Sequence, residues 1–157
     1  MYINYFKPLS EEFIRKYQKE IEWIHISRYQ KLNENFIREF KNKVYWYLIS
    51  YYQKLSENFI REFKNEVNWD WISANQILSE NFIREFQDEV DWNWISGYQK
   101  LSEKFIREFQ NRISWNNLLD KFGYSLIKFD NKYQIKSINY NSDYLEFDEF
   151  IDLALRL

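Results

Sequence analysis

One motif recurs in this chain at a fixed interval of 23 residues. Its consensus is LSENFIREFxxxVxWxxISxYQK, and the five copies align without a gap, beginning at Leu9, Leu32, Leu55, Leu78 and Leu101. A fixed period of this length is typical of tandem-repeat proteins, in which each copy is one supersecondary unit that cannot bury its apolar face alone. The period therefore constrains the fold more than any other feature of the sequence.

The apolar pattern within each repeat predicts two short helices. In the third repeat, spacings of four, one, three and four mark one helical face, formed by Leu55, Phe59, Ile60, Phe63 and Val67. After a polar residue, a second cluster follows with spacings of three and four, at Trp69, Ile72 and Gln76. We predict a first and a second helix in every repeat, each of about eight to ten residues, which is too short to be stable alone in water.

Capping residues support this division into two helices. Ser56 stands at the expected N-cap of the first helix, between Leu55 and Ile60, an apolar pair that suits a hydrophobic staple. The second helix begins with a capping residue in the last three repeats, at Asn68, Asp91 and Ser114. Glu22 and Tyr45 break the pattern in the first two repeats.

Because short helices need neighbours, the repeats are expected to stack. We predict an all-α fold, a right-handed α-solenoid of five two-helix repeats at residues 9–31, 32–54, 55–77, 78–100 and 101–123. Residues 1–8 are expected to form an N-terminal cap, and residues 124–157 a C-terminal cap made of a small β-hairpin and a helix.

The C-terminal prediction depends on a change of period after Gly123. Apolar and polar residues alternate at Ile127 and Phe129, and again at Tyr133 and Ile135, which predicts a hairpin. Its turn, at residues 130–132, lacks the glycine that favours a tight hairpin turn. The following segment DYLEFDEFIDLALRL returns to helical spacing and is expected to close the array.

The repeat resembles short LSExFIxEF…WxxIS helical repeats found in giant amoebal viruses and in other AT-rich genomes. The resemblance covers residues 9–119. It implies a helical tandem repeat and carries over no substrate, cofactor or catalytic residue. The richness in Ile, Asn, Lys, Tyr and Phe agrees with an AT-rich genome, because those residues have AT-rich codons.

Catalytic constellations are not evident in the sequence. Nucleophilic catalysis needs a base beside an activated nucleophile, but His25 is the sole histidine and the chain has no cysteine. Phosphate-binding loops need clustered glycines, whereas Gly97 and Gly123 are isolated. We therefore predict a protein that is not an enzyme and that has no cofactor.

The strongest candidate for a metal site is an EF-hand-like segment near the C-terminus. Asn139, Asn141 and Asp143 have the spacing of calcium ligands. However, Tyr144 stands where the loop needs glycine, and Phe150 stands where it needs a bidentate glutamate. Other carboxylates suit helix starts and solvated faces, so no metal site is predicted.

Composition limits where the protein is expected to act. The absence of cysteine excludes disulfides and thiolate metal sites. The N-terminal residues do not resemble a signal peptide, and no apolar run approaches the roughly 18 residues of a membrane span. We predict a soluble protein with no membrane partner, in the cytoplasm, or in the host cytoplasm if the protein is viral. The sequence carries no signal of the oligomeric state.

Two residue columns suggest nucleic-acid binding as an alternative function. One contains Arg15, Arg38, Arg61, Arg84 and Arg107, and the other contains Trp23, Trp46, Trp69, Trp92 and Trp115. However, every arginine of this column follows a glutamate by four residues, which is the spacing of a helical ion pair. The tryptophans of the other column share a helical face with core isoleucines. Residues 1–123 carry 18 basic and 18 acidic residues, which disfavours a polyanionic partner.

The second helices also carry positions that vary against the fixed frame of the repeat. The aromatic residues among them are His25, Tyr47, Tyr51, Trp71 and Trp94. Repeat proteins commonly use such a face for recognition, although neutral drift at solvent-facing positions explains the same variation. We predict a non-enzymatic protein that binds a protein partner through these five residues, as a virus- or phage-encoded inhibitor of a host defence factor.

Overall fold

The computed structural model describes residues 3–121, 124–129 and 132–137, together with residues 149, 151, 152 and 156. The chain divides into two compact bodies, an N-terminal body of Met1–Ile77 and a C-terminal body of Leu78–Leu157. The division falls between the third and fourth repeats.

Every repeat contains two helices in the described part of the chain, which confirms the predicted pair. The first helices are α1 (Glu11–Lys16), α3 (Glu34–Glu39), α5 (Glu57–Glu62), α7 (Glu80–Glu85) and α9 (Glu103–Glu108). The second helices are α2 (Trp23–Tyr29), α4 (Trp46–Tyr52), α6 (Trp69–Asn75), α8 (Trp92–Tyr98) and α10 (Trp115–Asp120). They are six or seven residues long, so the predicted length of about eight to ten was too great.

The first helix is short because the chain turns at its last phenylalanine. Phe40 caps the C-terminus of α3 with φ −111° and ψ 25°, outside the helical region. The polar residues that follow form a turn, in which Lys43 and Val44 both donate main-chain hydrogen bonds to Phe40 O, at 2.8 and 3.1 Å. This turn places Val44 in the core, where it is 7% exposed.

Side-chain caps fix the start of the first helices, as predicted. In each repeat the N-cap oxygen accepts a hydrogen bond from the main-chain N–H of the third helical residue, and the caps are Ser10, Asn33, Ser56, Ser79 and Ser102. Removing this capping hydrogen bond at any one site would lower the free energy of unfolding by about 1 kcal/mol.

Capping of the second helices is less uniform. Asn68 and Asp91 cap α6 and α8 through their side chains, as predicted. Glu22 and Tyr45 make no such bond, which agrees with the break in the sequence pattern. Ser114 occupies the N-cap position of α10, as predicted, but its side chain makes no capping hydrogen bond.

The core of each body is a layer of apolar residues from both helices of each repeat. Fully buried positions include Phe36 and Ile37 from α3 and Ile49 from α4, and the same columns recur in the other repeats. In the N-terminal body α2 contacts α4 and α4 contacts α6, whereas in the C-terminal body α8 contacts α10. Within each body, the second helices of successive repeats therefore pack directly on one another.

Buried glutamines link successive repeats through main-chain hydrogen bonds. The Gln53 carboxamide accepts from Leu32 N at 3.0 Å and donates to Gln30 O at 2.8 Å and Ser27 O at 3.2 Å. Gln76 repeats these contacts with the residues 23 positions further along the chain. We call this column of buried glutamines the glutamine ladder.

Buried serines make a second set of links. Ser50 Oγ donates to Trp46 O at 2.8 Å within α4 and accepts from Asn68 N, at the start of the next second helix, at 2.9 Å. In the C-terminal body Ser96 Oγ likewise accepts from Ser114 N at 2.9 Å. Each of these two hydroxyls therefore pairs with an N–H group at a helix start that would otherwise lack a partner.

The N-terminal segment continues this hydrogen bonding before the first repeat. Gln30 donates to Tyr5 O at 2.7 Å and Lys7 O at 3.2 Å and accepts from Leu9 N at 2.8 Å. Tyr5 Oη accepts from Glu22 N at 2.9 Å, in the role that a serine hydroxyl has in later repeats. The carbonyl groups of Tyr5 and Lys7 thus take the place of the acceptors that a preceding repeat would supply.

After the fifth repeat the pattern changes. Lys121 Nζ donates to Gln99 O at 2.9 Å, the acceptor that a further ladder glutamine would use. Strands β1 (Tyr124–Phe129) and β2 (Lys132–Ser137) pair antiparallel, with Tyr124 opposite Ser137. The predicted turn residues 130 and 131, and most of the predicted terminal helix, lie outside the described residues.

Candidate functional site

The tryptophan at the start of a second helix packs on the next repeat of the same body at three places, Trp23, Trp46 and Trp92. Trp46 lies with its ring centroid 4.8 Å from that of Phe63 and 6.2 Å from that of Phe59, and its Nε1 donates to Lys41 O at 3.1 Å. Its side chain is half-buried, as are the other members of the column. The predicted core location is therefore only partly right, because one edge of each indole faces solvent.

Trp71 is also half-buried, whereas we had expected it on the solvent side of the helix. Its ring packs edge-on against Tyr51 from the preceding second helix, with centroids 4.5 Å apart and planes at 84°. Tyr47 approaches the same indole at 5.9 Å and 74°. Two variable tyrosines thus pack directly on the Trp71 indole.

His25 belongs to a separate group of rings near the N-terminus. Its imidazole lies 4.9 Å from the Tyr5 ring and 5.9 Å from the Tyr29 ring, and its Nε2 is 3.2 Å from a Glu22 carboxylate oxygen. Phe6, 79% exposed, packs on the other side of Tyr29 at 4.7 Å. None of these groups is a nucleophile activated by the histidine.

Arg28 connects the two groups of rings. Its guanidinium carbon lies 5.2 Å from the Tyr29 ring centroid and 5.7 Å from that of Tyr52. Tyr52 in turn contacts Tyr51 at 4.4 Å. A continuous series of contacts therefore crosses all three repeats of the N-terminal body, and we call it the aromatic band: His25, Arg28, Tyr29, Tyr47, Tyr51, Tyr52 and Trp71.

Four of the five predicted site residues lie in this band, and the sequence alone did not indicate Tyr29 and Tyr52. Both occupy the consensus tyrosine column, which we had assigned to the structural frame. They are nevertheless 37% and 44% exposed. The column is interrupted by Asn75 in the third repeat, and that substitution of a polar residue for an aromatic one was the available signal of exposure.

The chemistry of the aromatic band suits a protein interface. Tyr47 is 55% exposed and Tyr51 is 39% exposed, so apolar ring surface and phenol hydroxyls both face solvent. Tyrosine, tryptophan and arginine are the residues most enriched at binding hot spots, because they combine a large contact area with hydrogen bonding. Ring contacts between repeats hold these side chains in place before any partner binds.

Trp94, the fifth predicted site residue, lies in the C-terminal body. It is half-buried and packs on Tyr98, one turn later in α8, with ring centroids 5.2 Å apart. Beside it, Gly97 occupies the position that Tyr51 has in the second repeat. The resulting space is an open cavity of about 480 Å³, which we call the Trp94 pocket, lined by Trp94, Gly97, Tyr98, Asn117, Asp120 and Lys121.

The arginine column makes the predicted ion pairs with the glutamates four residues earlier. Their nitrogen to oxygen distances run from 3.0 to 3.8 Å. A closer contact reaches the next repeat: Arg38 Nε lies 2.8 Å from a carboxylate oxygen of Glu62. This second ion pair, between repeats, was not predicted, although its glutamate also belongs to a column that repeats every 23 residues.

Contacts with rings and carboxylates leave these arginines poorly placed for phosphate binding. The Arg84 guanidinium lies 4.9 Å from the Phe105 ring centroid, and hydrogen bonds from Arg84 to Glu108 raise the pKa of Arg84. The same bonds lower the pKa of Glu108. Arg15 has an equivalent environment, with its pKa raised chiefly by its hydrogen bond to Glu39.

The described ranges contain neither a metal-binding cluster nor a membrane-spanning helix. Among those residues, no group of three or more His, Asp and Glu side chains is placed to hold a metal ion. The EF-hand-like residues Asn139, Asn141 and Asp143 lie outside the described part of the chain. No described helix has the length and apolar character needed to cross a bilayer.

Comparison of the chain with protein-family models, with curated proteins and with solved structures finds no match. The 23-residue repeat is therefore supported by the chain's own periodicity and by its ten regularly spaced helices in the described residues. The resemblance to viral repeats stays a prediction.

Proposed function

We propose that the protein is a non-enzymatic binding protein that recognises a protein partner through the aromatic band. The observation that supports this most strongly is the continuous series of ring contacts from His25 to Trp71, with Arg28 in the middle. Neutral drift at solvent positions would have no reason to place aromatic side chains in mutual contact across three repeats.

Preorganisation adds to this support. A partner that binds flexible side chains must offset the loss of their rotamer freedom, about 0.5–1.5 kcal/mol for each one immobilised. Tyr51 is already in contact with both Tyr52 and Trp71, so less freedom remains to be lost there. The band is thus suited to a stable contact with a folded surface or a helical segment.

Nucleic-acid binding is the second candidate, since tyrosine and tryptophan rings can stack on bases. Such proteins combine stacking rings with a positively charged groove. Here the regular arginine column is paired with glutamates both within and between repeats. The paired charges favour the protein partner over the nucleic acid.

Selection from a displayed peptide library tests the proposal without knowledge of the natural partner. The library is first depleted on a Tyr51→Ala, Trp71→Ala variant and then selected on the wild-type protein. We expect enriched peptides with micromolar affinity in calorimetry and at least tenfold weaker binding to the variant. Circular dichroism and a thermal melt must show that the variant remains folded.

A matched control uses Phe6→Ala, because Phe6 is 79% exposed but lies at the edge of the band. This variant should retain most of the affinity. Failure to enrich any peptide that depends on Tyr51 and Trp71 would overturn the proposed function. Binding of single-stranded RNA at physiological salt, lost in the same double variant, would favour the nucleic-acid alternative.

Two finer expectations belong to this proposal. One is the right-handed solenoid arrangement of the five repeats, which would present the second helices side by side. The other is that the partner is a host factor inhibited by a virus or phage protein in the cytoplasm. Its support is the sequence resemblance and the AT-rich codon usage.

A further inference from the structure

The Trp94 pocket has an aromatic wall and a polar rim. The indole of Trp94 and the phenol of Tyr98 form the wall, with their ring centroids 5.2 Å apart. Tyr98 is 64% exposed, more than the tyrosines of the aromatic band. Asn117 and Asp120, both from α10, also line the cavity and contribute polar side chains to it.

The polar atoms of α10 are mainly acceptors. Asn117 Nδ2 donates to Asn93 O at 3.0 Å, which fixes the amide orientation and leaves Oδ1 without a donor among the described residues. The Asp120 carboxylate is exposed and makes no ion pair with any described residue. The neighbouring cation, Lys121, directs its Nζ to Gln99 O at 2.9 Å.

A glycine keeps the pocket open. A Cβ atom built on Gly97 would lie 3.6 Å from Asn117 Cβ, an ordinary contact distance, so alanine would fit but a large side chain would fill the cavity. In the second repeat the same column holds Tyr51, whose ring packs on Trp71. The same position of the repeat therefore holds an aromatic side chain in the second copy and leaves an open cavity in the fourth.

We propose that the Trp94 pocket binds an arginine side chain of the protein partner. A guanidinium presents five donors in one plane and stacks on aromatic faces, and it is more weakly hydrated than an ammonium group. Here the indole of Trp94 offers the stacking surface, while Asp120 and Asn117 offer acceptors to its edge. This inference rests on the proposed function, because it names one partner group that the protein would recognise.

Titration with N-acetyl-arginine amide, followed by two-dimensional NMR of the ¹⁵N-labelled protein, tests this inference. The neutral isostere N-acetyl-citrulline amide is the matched ligand control. We expect millimolar binding of the arginine compound, with the largest shifts at the Trp94 indole N–H and the main-chain amides of Tyr98 and Asn117. The citrulline compound should bind at least about threefold more weakly, the size expected for losing an exposed charge and a cation–π contact.

Three variants locate the binding within the pocket. Asp120→Asn should raise the dissociation constant about two- to fivefold, and Gly97→Leu should abolish binding by filling the cavity while the charges remain. Glu89→Gln removes an exposed carboxylate of the same body outside the pocket and should change nothing. Equal binding of the two ligands, or unchanged binding to Gly97→Leu, would overturn the proposal.

The outcome is separable from that of the proposed function. If selected peptides depend on Tyr51 and Trp71 but arginine amide does not bind, the partner-binding role stands and the arginine pocket fails. If arginine amide binds as expected but no peptide depends on the aromatic band, the arginine pocket stands and the partner-binding role of the aromatic band fails. Each measurement uses the full chain, so the two results can be obtained on the same protein.

Discussion

The side-chain amide of Gln53 donates a hydrogen bond of 2.8 Å to the main-chain carbonyl of Gln30, the residue one repeat earlier in the same column. Gln53 is 5% exposed, and its carboxamide oxygen also accepts from the buried Leu32 N. Replacing it by Gln53→Leu would preserve the approximate volume and remove every one of these bonds. Each buried main-chain group left unpaired costs about 1–3 kcal/mol.

We therefore expect Gln53→Leu to lower the free energy of unfolding by about 2–4 kcal/mol, measured by chemical denaturation. Lys31→Gln, at an exposed position of the same body, is the control and should have little effect. A Gln53→Leu protein as stable as the control would show that water or a local shift satisfies the ladder groups equally well.

The two half-buried tryptophans of the N-terminal body should differ in their effect on stability. Trp46→Ala removes a ring that packs on Phe59 and Phe63 and a hydrogen bond to Lys41 O, and we expect a loss of about 2–4 kcal/mol. Trp71→Ala removes edge contacts with two exposed tyrosines, for which about 1–2 kcal/mol is expected.

Thermal melts of the two variants at equal concentration compare these losses directly. Trp46→Phe, which retains a ring but not the indole N–H, should fall between the wild type and Trp46→Ala. A loss for Trp71→Ala as large as that for Trp46→Ala would mean that Trp71 is part of the core and that its role in the aromatic band is secondary.

Deletion of one whole repeat should preserve the fold, whereas deletion of half a repeat should not. Without residues 32–54, Gln76 would follow Gln30 by 23 positions, so the ladder bonds could form again. A deletion of 12 residues would place the wrong groups opposite each other. Far-UV circular dichroism and melting curves should show a folded, less stable protein in the first case only, and equal tolerance of both deletions would contradict the ladder.

Acidification should weaken the pair between Arg84 and Glu108. Hydrogen bonds from Arg84 lower the pKa of Glu108 below its ordinary value of 4.5. A carboxylate whose pKa is lower in the folded state stabilises that state above its unfolded-state pKa, and this stabilisation is lost as the pH falls through the folded-state pKa. The stabilisation is therefore present at neutral pH, and its loss is confined to pH values below about 4.5.

Carboxyl NMR titration of wild type and Arg84→Gln measures this effect. The variant should return the pKa of Glu108 towards its ordinary value. Arg112→Gln is the control, because Arg112 pairs with Asp88 at 2.7 Å in the same body. An unchanged Glu108 titration in Arg84→Gln would show that the bond between repeats is not formed in solution.

The repeat, the paired helices and the glutamine ladder could all be predicted from one sequence, because each is a property of a column. A residue such as Gln53 occurs at the same place in four repeats, and a buried amide must find partners. The i,i+4 pair of Arg38 with Glu34 could be predicted for a similar reason, since helical spacing alone brings the two side chains together.

Contacts between repeats were harder to predict. The pairing of Arg38 with Glu62 spans 24 residues, and neither period nor helical spacing gives the offset between two stacked helices. The same offset decides that Tyr51 reaches Trp71. Burial on a helix of only seven residues depends on such neighbours, so the half-burial of Trp71 could not be predicted from its position in α6.

Tyr5 and Lys7 have a consequence for self-association. The carbonyl groups of these residues satisfy the amide of Gln30, and the Tyr5 hydroxyl satisfies Glu22 N. An uncovered ladder would present a repeating template onto which the last repeat of another copy could add, much as an open sheet edge recruits further strands. Because residues 5–7 already fill that template, head-to-tail growth from this face would first have to displace them.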